Sequence, residues 1–158
     1  MIRVEDLSLT IGEASILRHV SFDIAPGKVT ALVGESGSGK SMTAFTVMGL
    51  QPRSAEVTGR VMLDDRNLLD AGEKQLNRIR GNRIGMIFQE PMTALNPVKT
   101  IGDQVAETLL IHGKASRAEA HRIAAEKLTR VGLPPDRFPL SRFPHELSSG
   151  QRQRVAIA

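Results

Sequence analysis

The stretch GESGSGKS, residues 34 to 41, fits the pattern G-x-x-x-x-G-K-S that is typical of a phosphate-binding P-loop. Its glycines allow the backbone to turn tightly and to bring N–H groups close to phosphate oxygens. The Lys40 side chain can reach the β- and γ-phosphates of a nucleotide, and the Ser41 hydroxyl can bind Mg²⁺. The motif therefore predicts a nucleotide site built from Gly34, Glu35, Ser36, Gly37, Ser38, Gly39, Lys40 and Ser41.

The segments on either side of the loop supply the setting that this motif requires. Residues 28 to 33, KVTALV, are mostly apolar and partly β-branched, which predicts a buried strand. Residues 43 to 48 predict a helix, which Gln51 and Pro52 end. The alternative is a glycine-rich turn that happens to precede a lysine, and the order strand, loop, helix argues against it.

Length and composition are those of one soluble globular domain. The chain has 158 residues, of which 41% are hydrophobic and 24% are charged. It has no cysteine, which excludes disulfides and cysteine metal sites. The first residues lack the apolar segment of a signal peptide, and no window approaches the length of a membrane span, so we expect neither.

The positive charge allows two interpretations. The net charge is +4, and arginines cluster at positions 78, 80, 83, 137, 142, 152 and 154. A nucleic-acid surface is one interpretation, and a solvated face beside a site for an anionic nucleotide is the other. The chain has five Phe and no Tyr or Trp, which is a poor supply for base stacking. We therefore favour the second and expect no nucleic-acid partner.

Apolar patterns predict further elements along the chain. Strands are predicted at residues 2 to 9, 20 to 24, 57 to 65 and 84 to 88, and a helix at residues 73 to 80. A helical insert follows, in which Thr100 with Asp103 and Ser116 with Glu119 resemble capping boxes. Gly132 is a candidate helix C-cap.

A second candidate anion site lies near residue 147. The run LSSGQ, residues 147 to 151, combines hydroxyl and glycine residues at a predicted helix start. A simple N-cap would explain the run equally well, so this short motif is weak by itself. His145, just before it, is a candidate base without a visible partner, and we expect it to be structural.

The order of these motifs resembles the ATP-binding subunits of ABC transporters over essentially the whole chain. A P-loop is followed by Gln89 after a strand, by a helical insert, and by LSSGQRQRVAIA. The runs FQEPMTALNP at 88 to 97 and PHEL at 144 to 147 resemble the peptide/nickel (oligopeptide and dipeptide) importer branch.

The resemblance implies a fold class and a division of the chain. The fold is α/β, a P-loop NTPase core of the ABC type with an N-terminal antiparallel β segment and a helical insert. Residues 1–90 would form the β segment and the P-loop core up to the Q-loop. Residues 91–146 would form the Q-loop and helical insert, and residues 147–158 the start of the signature helix. The C-terminal core strands of the family are absent from the chain.

The resemblance also implies roles. Lys40 and Gln89 would be catalytic, and Ser41 and Gln89 would contact Mg²⁺ beside ATP. Ser148 and Gly150 would contact the γ-phosphate of ATP on the P-loop of a second ABC subunit. The Gln89–Asn96 region and the following helix would receive a transmembrane permease, at the cytoplasmic face of the membrane.

Three departures from the family pattern affect these expectations. Ile11 stands where the family has an aromatic residue that stacks on adenine, so adenine selectivity should be weak. Ser149 replaces the first glycine of the signature. The sequence stops at Ala158, inside the signature helix, before the Walker B Asp and the catalytic Glu, so we expect poor turnover by this chain alone.

These observations leave three hypotheses of function. The leading one is an ATP-binding subunit that couples ATP binding and hydrolysis to import of peptides or similar small solutes. The alternative is a truncated, non-hydrolytic nucleotide-binding module. A DNA-repair type of ABC ATPase is the third, and the lack of heptads and of cysteines argues against it.

Overall fold

The computed structural model describes residues 1–88 and 95–158. They form two compact units, Met1–Arg80 and Gly81–Ala158, each with its own packing. Within the described ranges, no helix is both long enough and apolar enough to cross a lipid bilayer.

The first unit contains a four-stranded antiparallel sheet. Its strands are β1 (Ile2–Ile11), β2 (Ala14–Ile24), β3 (Ala55–Leu63) and the short β4 (Arg66–Asn67), in the order β2-β1-β3-β4. β1 lies in the middle because it pairs with β2 along one side and with β3 along the other. The buried apolar side chains of the sheet are those of Val4, Leu7, Leu9, Leu17 and Val61. The predicted N-terminal antiparallel segment is confirmed.

Two helices complete the first unit. Helix α1 (Lys40–Val47) follows the P-loop and buries Thr43, Thr46 and Val47. A 3-10 helix at Leu68–Asp70 precedes α2 (Glu73–Ile79), whose buried residue is Leu76.

The second unit contains three α-helices within its described residues. They are α3 (Ile101–Ile111), α4 (Arg117–Arg130) and α5 (Ser149–Ile157), with a 3-10 helix at Pro144–Glu146 before α5. One buried cluster contains Ile101, Leu128, Leu133, Leu147 and Val155. A second, where α3 meets α4, consists of Ala106, Ala120 and Ala124.

The helix boundaries in this unit agree with the capping residues in the sequence. The Thr100 hydroxyl accepts from the N–H of Asp103, and the Ser116 hydroxyl accepts from the N–H of Glu119. Gly132 follows the end of α4 with φ +77°, a left-handed conformation that glycine adopts without steric cost. The predicted helical insert is therefore confirmed in these details.

Two predicted strands are wrong. Residues 28–33 form no strand, and Val29 and Val33 are 99% and 86% exposed. At residues 84–88 only Ile84 takes part in an isolated bridge. A strand requires a neighbour to bond its N–H and C=O groups, and within the described residues every strand pairs inside the antiparallel sheet.

Candidate nucleotide-binding site

The P-loop turns through two glycines in left-handed conformations. Gly37 has φ +82° and Gly39 has φ +86°. A hydrogen bond of 3.2 Å from the N–H of Ser38 to the Glu35 carbonyl closes the loop. Residues 34–38 are exposed, so the amides of this loop other than that of Ser38 are accessible to a ligand.

Gly39 is also required by close packing against the sheet. A Cβ atom at this position would lie 2.6 Å from Cδ2 of Leu17 and 3.0 Å from the carbonyl oxygen of Ile16. Both neighbours belong to β2. The start of α1 is therefore held directly against a strand of the sheet, which fixes where the turn of the loop ends and the helix begins.

The amino terminus of α1 has no side chain that caps it. Its N-cap residue is Gly39, and its first turn contains no acidic residue. The first N–H groups of any helix lack intrahelical partners, and the helix dipole makes this end positive. In α1 the first intrahelical bond runs from the N–H of Thr43 to the Gly39 carbonyl, at 2.8 Å. The N–H groups before Thr43 in this helix therefore have no intrahelical partner and are available to an anion.

Lys40 lies across the loop. Its Nζ donates to the carbonyl oxygens of Gly34, at 2.9 Å, and Glu35, at 2.6 Å, and to Oγ of Ser38, at 3.3 Å. The ammonium group is thus held over the turn by groups of the loop itself. A polyphosphate bound there would take over some of these bonds, and bonds between two charged groups are the stronger type.

Of the other residues predicted to contact the nucleotide or Mg²⁺ on this subunit, the structure describes Ile11 and Ser41. Ile11 is half-buried at the end of β1, paired with Ala14 on β2 and Ala55 on β3. Ser41 is exposed in the first turn of α1, next to Lys40. Gln89 lies outside the described residues, as do positions 90–94 of the expected permease surface.

Ser148 and Gly150 belong to the second unit, at the start of α5. The Ser148 hydroxyl accepts from the N–H of Gln151, at 3.3 Å, and the N–H of Ser148 donates to Oε1 of Gln151, at 2.8 Å. This is a reciprocal capping box. Gly150 is exposed with open space where a Cβ would be, and the first turn contains no acidic residue.

The neighbourhood of this helix start is firmly packed. Leu147 is buried in the larger apolar cluster, and Nε of Arg152 donates to the Leu147 carbonyl at 3.0 Å. The His145 ring stacks on Phe143 with centroids 5.7 Å apart, as expected for a structural role. Ser148 is therefore the N-cap of α5, and Ser148, Ser149 and Gly150 are exposed.

Asn96 is the described end of the expected permease surface. Its N–H donates to Oε1 of Gln104 at 2.8 Å, and Nε2 of Gln104 donates back to the Asn96 carbonyl at 3.0 Å. This pair ties the segment before α3 to the helix, so Asn96 has a defined position.

The residues present fit a nucleotide with Mg²⁺. The loop offers exposed amides, an uncapped helix start and an ammonium group, which together match a chain of phosphate oxygens. Mg²⁺ is usually held by one or two protein oxygens and by phosphate, and the Ser41 hydroxyl is such an oxygen.

Sequence reasoning missed one residue of this neighbourhood. Arg80 was grouped with other arginines as surface charge, but its side chain is only 19% exposed and bonds to the far end of α1. Its carbonyl partners lie about thirty positions earlier in the chain. No local pattern in the sequence carries that signal.

Comparisons with known proteins agree with the geometry. A family model described as ABC transporter matches residues 17–158. The dipeptide transport ATP-binding protein DppD of Lactococcus lactis is 48% identical over 149 residues, which are 93% of this chain and 43% of that protein. The oligopeptide transport ATP-binding protein OppD of Escherichia coli is 40% identical over 162 residues, which are 100% of this chain and 48% of that protein. The chain thus spans less than half the length of these two relatives.

A solved structure extends the likeness to the backbone. The ATP-binding cassette MJ0796, in a dimeric post-hydrolysis state bound to ADP and Pi, is 31% identical with a TM-score of 0.84. The match covers 99% of this chain and 67% of that one. The predicted fold class and the predicted resemblance to the peptide-importer branch are both confirmed. The chain belongs to the ABC transporter family, and its relatives include peptide-transport ATP-binding proteins.

Proposed function

We propose that this chain binds ATP with Mg²⁺ at residues 34–41, as the ATP-binding part of an ABC importer of peptides or similar small solutes. The observation that carries the proposal is the uncapped, acid-free start of α1 beneath the Lys40 ammonium. The names of the relatives support peptides as the transported class. We keep the division into residues 1–90, 91–146 and 147–158 as part of this proposal.

Each residue of the loop has a separate task in this proposal. The amides of residues 34–39 and the start of α1 hold the β- and γ-phosphates. Lys40 exchanges the carbonyls of Gly34 and Glu35 for phosphate oxygens. Ser41 and Gln89 would hold Mg²⁺, which neutralises charge on the phosphates. Lys40 and Gln89 are the proposed catalytic residues.

The second anion site is proposed to act on another subunit. Ser148 is fixed by its box with Gln151, and Gly150 follows in the first turn of α5. We propose that both contact the γ-phosphate on the P-loop of a second ABC subunit. The dimeric state of the solved cassette supports this arrangement.

Two further parts of the proposal concern the surroundings of the subunit. Residues Gln89–Asn96 and α3 would receive a transmembrane permease, which puts the protein on the cytoplasmic face of the membrane.

Ile11 would contact adenine without aromatic stacking, so we expect weak discrimination between ATP and GTP.

Nucleotide affinity tests the central claim. In Lys40→Ala, we expect the Kd for MgATP to rise at least about tenfold, because charge-assisted bonds contribute roughly 1.5–3 kcal/mol each. Lys28→Ala is the matched control, since Lys28 is an exposed lysine that precedes the loop in the chain. Equal affinities of the wild type and Lys40→Ala would refute the proposal.

Phosphate release tests the proposed hydrolysis of ATP, and co-purification tests the proposed permease partner. Lys40-dependent release of phosphate, together with capture of a membrane permease from the native cell, is the result expected of an importer ATPase. Binding of MgATP without any release would instead favour the non-hydrolytic module. A native protein recovered without a permease partner would count against the importer.

A further inference from the structure

The carboxyl end of α1, opposite the P-loop, is bonded by one arginine. Nε of Arg80 donates to the carbonyl oxygen of Met48 at 2.9 Å, and Nη2 donates to that of Gly49 at 2.7 Å. Met48 is the C-cap of α1, and Gly49 follows it. The guanidinium fork therefore spans two adjacent carbonyls at the end of the P-loop helix.

The other side of the same guanidinium is held by α2. Nη1 of Arg80 donates to Oε1 of Glu73 at 2.6 Å and to Oδ1 of Asn77 at 3.1 Å. The backbone N–H of Arg80 donates to the Leu76 carbonyl at 2.9 Å, as the C-cap of α2. One side chain thus connects the last carbonyls of α1 to both turns of α2.

This arrangement suits an arginine and not a lysine. The last carbonyls of a helix have no intrahelical partner, and a cation at this end interacts favourably with the helix dipole. Arginine offers several donors in one plane and can satisfy two carbonyls and a carboxylate together. A lysine ammonium carries the charge but lacks the fork.

Gly49 is shaped to admit this contact. It has φ +65°, and a Cβ there would lie 2.7 Å from Cδ1 of Leu76 and 3.1 Å from Nη2 of Arg80. A Cβ at this position would crowd Leu76 and come close to the guanidinium, and glycine avoids both contacts. The contact with Arg80 thus depends on the backbone conformation of Gly49 and on its lack of a side chain.

We propose that Arg80 is a positioning residue for the nucleotide site. Helix α1 has eight residues, so its phosphate-facing start and its Arg80-bonded end are about 12 Å apart on one rigid element. Gly39 fixes the start against β2, and Arg80 fixes the end against α2. Holding both ends sets the direction of the amides that meet phosphate, so Arg80 acts on affinity through α1 without touching the ligand. This inference rests on the proposed function.

The test measures MgATP affinity well below the unfolding temperature, and only in variants whose folding has first been verified by circular dichroism. We expect the Kd to rise about tenfold in Arg80→Gln and about threefold in Arg80→Lys, which keeps the charge. Arg78→Lys on the same helix controls for the substitution. Leu76→Val controls for stability, because it loosens the same packing without removing the arginine. Both controls should stay within about twofold of the wild type.

Hydrogen exchange gives a second readout that separates positioning from general stability. We expect faster exchange at the hydrogen-bonded amides of α1, from Thr43 onward, in Arg80→Gln but not in Leu76→Val. A rise in Kd that is as large in Leu76→Val as in Arg80→Gln would overturn the inference, as would unchanged affinity in folded Arg80→Gln. Should Arg80→Gln fail to fold, Arg80→Lys carries the same test.

The two proposals fail in distinguishable ways. A wild-type protein that does not bind MgATP would refute the proposed function. A wild-type protein that binds MgATP through Lys40, with full affinity in the Arg80 variants, would refute only the role of Arg80.

Discussion

Helices α1 and α4 begin in opposite ways. Helix α4 starts at a serine whose hydroxyl accepts from the N–H of Glu119, and that glutamate adds an acidic group to the first turn. Helix α1 starts at a glycine, with no side-chain cap and no acidic residue. At the start of α4, the protein itself supplies a side-chain cap and a negative charge, whereas the N–H groups at the start of α1 remain available to an anion.

Helix α5 combines features of both. It has a reciprocal capping box at Ser148, like an ordinary structural helix, yet its first turn lacks an acidic residue, like α1. A capped start can hold its shape without a ligand and still present a positive end. The two helices with proposed phosphate sites, α1 and α5, have no acidic residue in the first turn, whereas α3 and α4 each have one.

The largest predicted effect concerns the glycine that starts α1. Gly39→Ala forces a left-handed alanine, which costs about 1–2 kcal/mol, and overpacks Leu17, which adds about 1–3 kcal/mol of lost stability. Gly37→Ala has a similar φ but open space around it, so it should lose only the first of these amounts. Urea unfolding measures both. Equal losses would mean that Gly39 is not held against β2.

A smaller effect is predicted for the cap of α5. Ser148→Ala removes the acceptor for the N–H of Gln151 and should lower the free energy of unfolding by about 1 kcal/mol. Ser149→Ala is the matched control, because Ser149 is exposed inside the first turn and is not the cap. Thermal or urea unfolding compares the two. If Ser149→Ala is as destabilising, the cap is assigned to the wrong serine.

The smallest predicted effect is a change in acid stability at the start of α3. Oγ1 of Thr100 donates to Oδ2 of Asp103 at 2.7 Å, and this bond is the main cause that holds the pKa of Asp103 below its ordinary value. A carboxyl with a lowered pKa stabilises the fold fully above its unfolded pKa. That contribution is lost as the pH falls through the folded pKa.

Thr100→Ala should therefore make stability less dependent on pH below about pH 4, in addition to the loss of a cap worth about 1 kcal/mol. The change in slope should be slight, because Asp103 is 41% exposed. Ser116→Ala removes an equivalent cap and should leave the acid limb unchanged. Urea unfolding across the acid range compares them, and parallel acid limbs for both variants would contradict the role of Thr100.

The parts of the fold that depend on local chemistry could be predicted from the sequence. The starts of α3, α4 and α5 follow from a hydroxyl residue three positions before Asp, Glu or Gln, because the capping bonds form within one turn. The residues of the P-loop could be named for the same reason, since glycine spacing and the following lysine are adjacent in the chain.

The parts that depend on distant neighbours could not. Residues 28–33 have the composition of a buried strand, but a strand also requires an adjacent strand, which composition does not supply. Arg80 is similar, since Met48 and Gly49 become its partners only after α1 and α2 pack. Sequence thus predicts which residues begin a helix better than it predicts what holds the helix in place.

The alanines between α3 and α4 have a consequence for entropy. Ala106, Ala120 and Ala124 are fully buried, and alanine has no side-chain rotamers to lose when it is buried. The contact therefore forms without the ordering cost that leucine or methionine would carry. Because these three residues have no side-chain torsions, their contacts offer few alternative packings of α3 against α4.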